Sequence, residues 1–486
     1  MALGLLDYIL FFGFTAGVVL FGCSFYFRNR SAEAFTKAGG NVPSWVVGMS
    51  IFATFVSSIS FLGIPGNAYA TNWSAFAFSL SIPLASWLAA KFFVPLYRSV
   101  GSVSAYAYLE ARFGYWARAY AATCYLLTQL ARVGSILYLT ALPLSKMFGW
   151  DLGAIIVATG AGVILYAMLG GIAAVLWTDA VQGLILIAGA IICAVVLTCS
   201  MPEGAGQLLS VAAQGGKLSL GSFGASLTEP TFWVVLAYGV FINLQNYGID
   251  QNYVQRYMTA RTERSAQRSA LMGGMLYLPV SLVFFYIGAA LFAYYTARPE
   301  LLPAGTPPDG VFPHFIIHGL PRGVTGFLIA AIFAAGMSTI ATSLNSSATV
   351  ILTDFVGKWA RRPLSNRQRM AVLYGCSLAL GALGVVVGLA MMRVKSALDA
   401  WWSLASVFSG GMLGLFLLGY LSRRVRSAHA AVAVAVGVAL IAWMSLPALG
   451  CPLHSYLTIV LGTTTIFLVG FLLASAAGKK RKRLTV

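Results

Sequence analysis

Two ionisable residues lie inside long apolar stretches of the chain, away from any obvious contact with water. Arg132 falls midway along an apolar run over 116–147, and Asp179 lies a few residues into a run over 173–199. A charge at the centre of a bilayer costs at least about 2.5–3.5 kcal/mol, so each residue needs a partner. A guanidinium group can form two parallel hydrogen bonds with one carboxylate. We therefore interpret Arg132 as facing an aqueous cavity or an anionic ligand. A structural ion pair for Arg132, and contact of Asp179 with cytoplasmic water, are the alternatives.

A polar stripe in the run over 323–356 is the third feature that could do chemistry. Ser338, Thr342 and Asn345 recur at i, i+4 and i+7 and therefore share one helix face. Small hydroxyl residues are common where membrane helices pack together, which is the alternative interpretation. They are also suitable oxygen ligands for a hard cation beside a carboxylate. Together with Asp179 and a broken helix, the stripe predicts a sodium site.

Thirteen apolar runs would have to position these residues. The 486-residue chain is 59% hydrophobic and only 9% charged, whereas soluble domains carry roughly 25% charged residues. A spanning helix needs about 20 apolar residues. The runs of that kind cover 5–27, 45–70, 76–97, 116–147, 153–169, 173–199, 231–249, 270–296, 323–356, 368–391, 397–421, 427–448 and 455–474. We therefore predict an all-α polytopic membrane protein with about 13 transmembrane helices in the lipid bilayer.

Two of these runs do not read as continuous helices. The run over 45–70 places serines, two glycines and Pro65 at mid-membrane, and the run over 231–249 contains Gly239, Asn243 and Asn246. Proline removes a backbone hydrogen bond, and glycine favours unwinding. Irregular backbone inside a membrane is tolerated only where it lines a cavity or binds something. For either break alone, a kink without a ligand is an equal alternative.

The two broken runs are five apart, which predicts two inverted five-helix repeats. The first repeat would cover 45–199 and the second 231–421, with substrate and coupling ion beside the breaks. An extra N-terminal helix over 5–27, two C-terminal helices over 427–474 and a basic tail over 475–486 complete a single transport domain over 1–486.

Basic residues concentrate in alternate loops, and the chain has a formal net charge of +18. The segments 256–268 and 358–369 and the tail are basic, whereas 200–230 holds a single lysine. The positive-inside rule places the basic loops and the C-terminus in the cytoplasm. An odd number of spans then leaves the N-terminus outside, and the expected location is the plasma (inner) membrane. This distribution explains the positive charge better than nucleic-acid binding does.

Three ordered segments resemble the sodium:solute symporter family, which includes the sodium/glucose, proline and sialic acid symporters. They are Ser31–Phe35 leading to Pro43–Ser50, Leu169–Gln182, and Asp250–Tyr257. The resemblance covers essentially the whole helical core. It implies the leucine-transporter-type fold, alternating access by rocking of the two repeats, and Na+ as the coupling ion with no cofactor.

The resemblance also implies ion sites. In the family, the principal sodium ion lies between backbone carbonyls of the broken helix and oxygens of the serine-rich helix. The matching positions here are Ala53, Val56, Ala335, Ser338 and Thr339. Some members bind a second sodium ion, for which Asp179, Ser338 and Thr342 are the matching positions. Ala341 departs from the hydroxyl usual at its position, so a second sodium ion stays open.

Within the family, the chain resembles the bacterial sialic acid symporters most. Arg132 matches the arginine that binds the substrate carboxylate. The predicted substrate-binding residues are Arg132, Ser57, Ser60, Phe55, Ala75, Ser79, Asn243 and Asn246. Phe55, Ala75 and Ser79 stand where we expect Thr, Phe and Gln, which makes the pocket more apolar on one side and emptier on another.

The sequence thus predicts a secondary active transporter, not an enzyme, that acts as a monomer. It would carry a small polar solute, an anion such as sialic acid or a related carboxylated sugar, into the cell with Na+. A neutral monosaccharide or another small organic acid is the alternative substrate, and a non-transporting sensor is the alternative class. The sodium stoichiometry and a disulfide between Cys199 and Cys451 stay open at this point.

Overall fold

The computed structural model describes residues 4–24, 36, 38–57 and 59–483, and its regular elements within these ranges are helices. The helices are α1 (Leu5–Ser24), α2 (Ser44–Phe55), α3 (Ile59–Ala70), α4 (Trp73–Val100), α5 (Ala107–Phe113), α6 (Tyr115–Phe148), α7 (Leu152–Cys199), α8 (Ala205–Gln214), α9 (Phe232–Ile249), α10 (Gln251–Thr259), α11 (Glu263–Ala297), α12 (Pro308–Gly319), α13 (Val324–Trp359), α14 (Asn366–Met391), α15 (Ala397–Leu421), α16 (Ser427–Ser445) and α17 (Leu457–Arg483). The first of the family-like segments, Ser31–Phe35, lies outside the described residues.

The predicted membrane-spanning runs correspond to helices. Within the described ranges, 10 helices are long and apolar enough to cross a membrane, and α2 with α3 forms one further, bent candidate. Two shorter apolar helices, Leu5–Val18 and Leu152–Leu165, match the remaining runs. The predicted number of about 13 is therefore a good approximation. Cys199 and Cys451 are both free thiols.

The break predicted in the run over 45–70 is confirmed. Helix α2 ends at Phe55, and α3 leaves at an angle of 50° to it, beginning with a π-helical turn over Ile59–Gly63. Pro65 is the second residue of the α-helical part of α3, directly after this π-helical turn. At Gly66, a Cβ atom would lie 2.8 Å from the carbonyl oxygen of Pro308, so only glycine lets α12 approach so closely.

The break predicted inside the run over 231–249 is wrong in position. Helix α9 continues through Gly239 and Asn243, and the chain leaves helical geometry only at Asp250. Gly239 serves close packing, because a Cβ there would lie 2.9 Å from the Cα of Phe78 on α4. The Asp250 side chain accepts a hydrogen bond from the backbone N–H of Asn252 and so caps α10, which fixes the discontinuity at this residue.

The helices that carry the predicted site residues pack around one another. Helix α7 lies against α2 and α13, and α6 contacts α13 and α15. Helix α11 packs along both halves of the broken helix, and α10 contacts α2 and α13. The unwound segment between α2 and α3 is thus enclosed by protein, as irregular backbone at membrane depth requires. The repeat boundaries 45–199 and 231–421 stay a prediction.

Candidate functional site

A cavity opens beside the unwound segment. Its lining comes from both halves of the broken helix and from α4, α6, α9, α10, α11 and α15. The lining residues are Phe55, Ser57, Ile59, Ser60, Ile64, Phe78, Arg132, Tyr238, Ile242, Asn246, Tyr253, Tyr277, Leu398, Trp401, Trp402 and Ala405. The structure therefore brings five of the eight predicted substrate residues to one cavity: Arg132, Ser57, Ser60, Phe55 and Asn246.

Arg132 is the charged residue of this lining. Its side chain is buried, and its Nη2 donates a 2.5 Å hydrogen bond to the backbone carbonyl of Thr54 in the last turn of α2. Within the described part of the chain, no carboxylate lies within ion-pair distance of this guanidinium. A guanidinium has five N–H donors, so the bond to Thr54 leaves donor capacity for an anion. The ion-pair alternative considered for Arg132 does not occur among these residues.

Serine hydroxyl groups of the unwound segment form hydrogen bonds with part of its backbone beside Arg132. Ser60 Oγ donates to the carbonyl of Phe55 at 2.9 Å, and Ser57 Oγ accepts from the backbone N–H of Ile59 at 3.3 Å. These serines therefore stabilise the irregular turn as well as lining the cavity.

Three predicted substrate residues lie outside the lining. Ala75 ends a short 3-10 turn before the helical part of α4. The Oγ of Ser79 lies 2.6 Å from the Oγ of Ser281 on α11. Asn243 donates to Ser81 Oγ at 2.9 Å and to the carbonyl of Phe78 at 3.3 Å, so it joins α9 to α4.

Aromatic side chains that the sequence reasoning missed dominate the rest of the lining. Phe78 stacks on Trp402, with ring centroids 4.7 Å apart, and Phe55 meets Tyr277 edge-on at 4.6 Å. Tyr253, one helical turn after Asp250, also faces the cavity. Phe78, Tyr277 and Trp402 lie in ordinary apolar runs, whereas Tyr253 belongs to the polar segment Asp250–Tyr257. Within the apolar runs, the adjacent pair Trp401–Trp402 is the feature that could have drawn attention to the cavity.

Asp179 is buried, which corrects the interfacial interpretation. Its Oδ2 accepts hydrogen bonds from Ser50 Oγ at 2.6 Å and from Arg256 Nη2 at 2.8 Å, and its Oδ1 accepts one from Ser338 Oγ. Arg256 Nη2 also donates to Thr342 Oγ1 at 3.2 Å. Four helices, α2, α7, α10 and α13, thus meet at one buried ion pair.

Arg256 is the most important residue that sequence reasoning assigned incorrectly. It was counted in the basic loop over 256–268, yet its side chain is fully buried. Helix α10 turns back into the protein after the break at Asp250 and carries Arg256 to the Asp179 carboxylate. No local feature of the sequence around Arg256 distinguishes it from the arginines that follow it.

The positions matched to the principal sodium ion are all buried. Ser338 and Thr339 lie on α13, and the Thr339 hydroxyl donates back to the carbonyl of Ala335 at 2.9 Å. On the broken helix, the described residues donate no hydrogen bond to the carbonyl oxygens of Ala53 and Val56. The neighbouring carbonyls of Phe52 and Phe55 do accept such bonds.

A cluster of charged residues ties α5 and α6 to the end of α13. Arg118 forms ion pairs with Asp354 and Glu110, and Lys358 pairs with Glu110 at 2.7 Å. Ser104 Oγ donates to Asp354 at 2.7 Å. Burial favours the neutral form of Glu110, but the hydrogen bonds from Lys358 and Arg118 together hold its pKa below its ordinary value.

A membrane protein of many helices, with a broken helix, a partly polar cavity and a buried charge network, has the architecture of a secondary transporter. The pattern that defines the sodium:solute symporter family matches residues 35–437. The chain therefore belongs to the sodium:solute symporter family, and it is a transporter of that family, as the resemblance predicted.

Individual relatives agree with this assignment. The sodium/sialic acid symporter NanT of Aliivibrio fischeri is 34% identical over 478 residues, covering 97% of this chain and 93% of NanT. A solved structure of a substrate-bound, outward-open Na+-coupled sialic acid symporter has a TM-score of 0.90 and 32% identity, covering 97% of this chain and 98% of that one. Mhp1, a nucleobase-cation-symport-1 transporter, shares the fold with a TM-score of 0.59 at 16% identity, covering 91% and 94%. These similarities confirm the predicted fold class.

Proposed function

We propose that this protein is a symporter that carries sialic acid, or a closely related carboxylated sugar, into the cell together with Na+. The observation that carries the proposal is Arg132, a buried guanidinium that lines the cavity and has no carboxylate partner among the described residues. A buried guanidinium that has no carboxylate in direct contact is costly, so a ligand that brings one is expected. The sialic acid specificity of the relatives supports a substrate with a carboxylate.

The cavity offers such a substrate two kinds of contact. The carboxylate would pair with Arg132, while Ser57, Ser60 and Asn246 would donate to or accept from hydroxyl and amide groups. The aromatic rings of Trp402 and Tyr253 offer flat apolar surfaces for the less polar face of a sugar ring. Phe55 narrows the cavity on the side of α11, where it contacts Tyr277.

For the sodium ion, we place the principal site between the broken helix and α13. The carbonyls of Ala53 and Val56 would bind Na+ together with the carbonyl of Ala335 and the hydroxyls of Ser338 and Thr339. Support comes from the two helix-end carbonyls, which receive no hydrogen bond from the described residues although they are buried. Buried carbonyl oxygens without donors are costly, and a hard cation is a suitable partner.

A second sodium ion at Asp179, Ser338 and Thr342 would compete with Arg256. The guanidinium already contacts both the carboxylate of Asp179 and the hydroxyl of Thr342. Ala341 supplies no hydroxyl. We therefore favour one sodium ion per substrate.

The orientation proposed for the chain follows the distribution of basic residues. The basic loops, the cluster around Arg118 and the C-terminal tail would face the cytoplasm of a plasma (inner) membrane, with the N-terminus outside. The cavity lies within a single chain, so a monomer would suffice for transport.

The proposal is tested by uptake of radiolabelled N-acetylneuraminic acid into proteoliposomes, with and without an inward sodium gradient. Arg132→Lys keeps the charge but loses the bidentate geometry, so the substrate concentration for half-maximal uptake should rise by about 10- to 100-fold. Arg393→Lys, which changes an exposed arginine in the same way, is the matched control and should leave uptake unchanged.

Competition by unlabelled solutes distinguishes the alternatives. Glucose and lactate should compete poorly, because the first lacks a carboxylate and the second lacks a sugar ring. Sodium-dependent uptake of a neutral sugar that is insensitive to Arg132→Lys would replace the acidic-sugar proposal. Folded protein that takes up no solute under any gradient would favour the sensor alternative.

A further inference from the structure

A second cavity lies at the end of α13, away from the substrate cavity. It is an open pocket of about 520 Å³ between the end of α13 and the start of α14, and its three arginines are exposed. Its lining combines three arginines with apolar residues and loop backbone: Leu352, Thr353, Gly357, Ala360, Arg361, Arg362, Pro363, Leu364 and Arg369. We call it the arginine pocket. No acidic residue lines it.

The arginines of this pocket are not neutralised by the protein. Two carboxylates at this end of α13, Asp354 and Glu110, are engaged by Arg118 and Lys358. Among the described residues, no carboxylate forms an ion pair with Arg361, Arg362 or Arg369. The first turn of α14 begins beside them at Ser365, and its positive dipole end adds to the attraction for an anion.

The apolar side of the pocket continues onto a lipid-facing helix. Leu352 belongs to a small apolar cluster with Leu373, against which Leu364 and Met370 pack. Only 22% of the apolar window of α14 is buried, the lowest share among the spans found in the described ranges. Trp359, at the end of α13, is 67% exposed and is the kind of residue that marks the headgroup level of a bilayer.

We propose that the arginine pocket binds the phosphate headgroup of an anionic phospholipid from the cytoplasmic leaflet, with the acyl chains lying along α14. Lysine and arginine clusters beside a spanning helix attract anionic lipids electrostatically, and guanidinium suits a phosphodiester bidentately. A free phosphate ion would use the arginines but would leave the apolar side of the pocket unfilled. The inference rests on the proposed orientation and not on the identity of the transported solute.

The bound lipid would also stabilise the charged cluster next to the pocket. Asp354 and Lys358, which pair with α5 and α6, lie on the same last turns of α13 as Leu352 and Thr353. A headgroup that fixes these turns would favour the state in which the cluster is formed, so lipid composition would alter transport as well as stability.

The test uses the full-length protein purified in a neutral detergent. Short-chain dioctanoyl phosphatidylglycerol, dioctanoyl phosphatidylcholine and inorganic phosphate are titrated separately, and the midpoint of thermal unfolding is followed to obtain apparent affinities. We expect a saturable rise with phosphatidylglycerol and little change with the other two. Each basic residue near an anionic lipid contributes about fivefold in affinity. The variant R361Q/R362Q/R369Q should therefore bind phosphatidylglycerol about 100-fold more weakly.

The matched control is R261Q/R264Q/R268Q, which removes three exposed arginines from another basic loop on the same side. It should retain the affinity of the unmodified protein. Equal losses in both variants would show unspecific surface attraction and overturn the proposal, as would equal stabilisation by inorganic phosphate or by phosphatidylcholine. If the triple variant does not fold, the proposal is tested by the comparison of the three ligands on the unmodified protein and by the affinity of the single variant R369Q for phosphatidylglycerol. Sodium-dependent uptake is measured on the same preparations, so failure of lipid binding is distinguished from failure of transport.

Discussion

Replacing Arg256 by glutamine should destabilise the protein far more than the same replacement at a surface arginine. The guanidinium is fully buried and donates to Asp179 at 2.8 Å, to Ser50 at 2.9 Å and to the carbonyl of Asn252 at 2.8 Å. Arg256→Gln leaves the Asp179 carboxylate buried without a cation. Breaking a buried ion pair from one side costs about 3–5 kcal/mol, and Asp179→Asn should cost a similar amount because it strands the guanidinium.

The double variant Asp179→Asn/Arg256→Gln removes both charges and keeps polar groups at both positions. We expect it to be about as stable as either single variant, so the coupling energy of the cycle equals one single effect, about 3–5 kcal/mol. The assay is thermal unfolding of the four purified proteins in one detergent and one lipid mixture, with Arg393→Gln as the exposed control. If the double variant loses the sum of the two single effects, the residues do not interact energetically and the reasoning is refuted.

Two further predictions concern helix packing and the loop helix α12. Gly288→Ala should lower the stability by about 1–3 kcal/mol in the same unfolding assay, because the new Cβ would lie 2.7 Å from the backbone carbonyl oxygen of Pro65. The control is Gly375→Ala, whose Cβ would have nothing within 4 Å and should be neutral or slightly stabilising. Burial above all, and then the nearby Asp399 carboxylate, raises the pKa of Asp309 to about 6. Since the unfolded value is about 3.9, this group stabilises the fold below roughly pH 4 and loses that contribution as the pH rises through about 6. Asp309→Asn should therefore flatten the dependence of the unfolding temperature on pH between 4 and 7, and an unchanged profile would count against the assignment.

Features set by local composition could be predicted from the sequence. The apolar runs correspond to helices because each must satisfy its own backbone in lipid, which leaves few alternatives. The first break was predictable because Pro65 and its neighbouring glycines and serines act locally on the backbone. The second was misplaced because the glycines of α9 serve close packing against α4, and a glycine needed for packing looks the same in sequence as one that unwinds a helix.

The pairing of distant charges could not be predicted in the same way. Nothing near Arg256 in the sequence distinguishes it from the exposed arginines that follow it, because its burial depends on how α10 returns between α2 and α13 after Asp250. The cavity lining shows the same limit. Arg132 was found because a charge in an apolar run is conspicuous, whereas Trp402 and Tyr253 became visible only when helices from both ends of the chain were brought together.

The Arg256–Asp179 pair has a consequence for the energetics of transport that can be measured. The Asp179 carboxylate accepts hydrogen bonds from Ser50, Arg256 and Ser338. A second sodium ion at Asp179 would therefore have to displace the guanidinium of Arg256, a cation that belongs to the protein itself. With one sodium ion and a monoanionic substrate, transport moves no net charge, and steady-state accumulation should not respond to membrane potential. With two sodium ions, one net charge crosses, and 100 mV contributes about 2.3 kcal/mol, or about 50-fold in accumulation.

The measurement is accumulation of N-acetylneuraminic acid in proteoliposomes whose potential is set by potassium gradients and valinomycin, at a constant sodium gradient. We expect the ratio of internal to external substrate to be the same at 0 and −100 mV. A large increase at −100 mV would show that a second sodium ion binds despite Arg256. Under that outcome Asp179→Asn should abolish the increase, since it removes the carboxylate that would hold the additional ion beside Ser338.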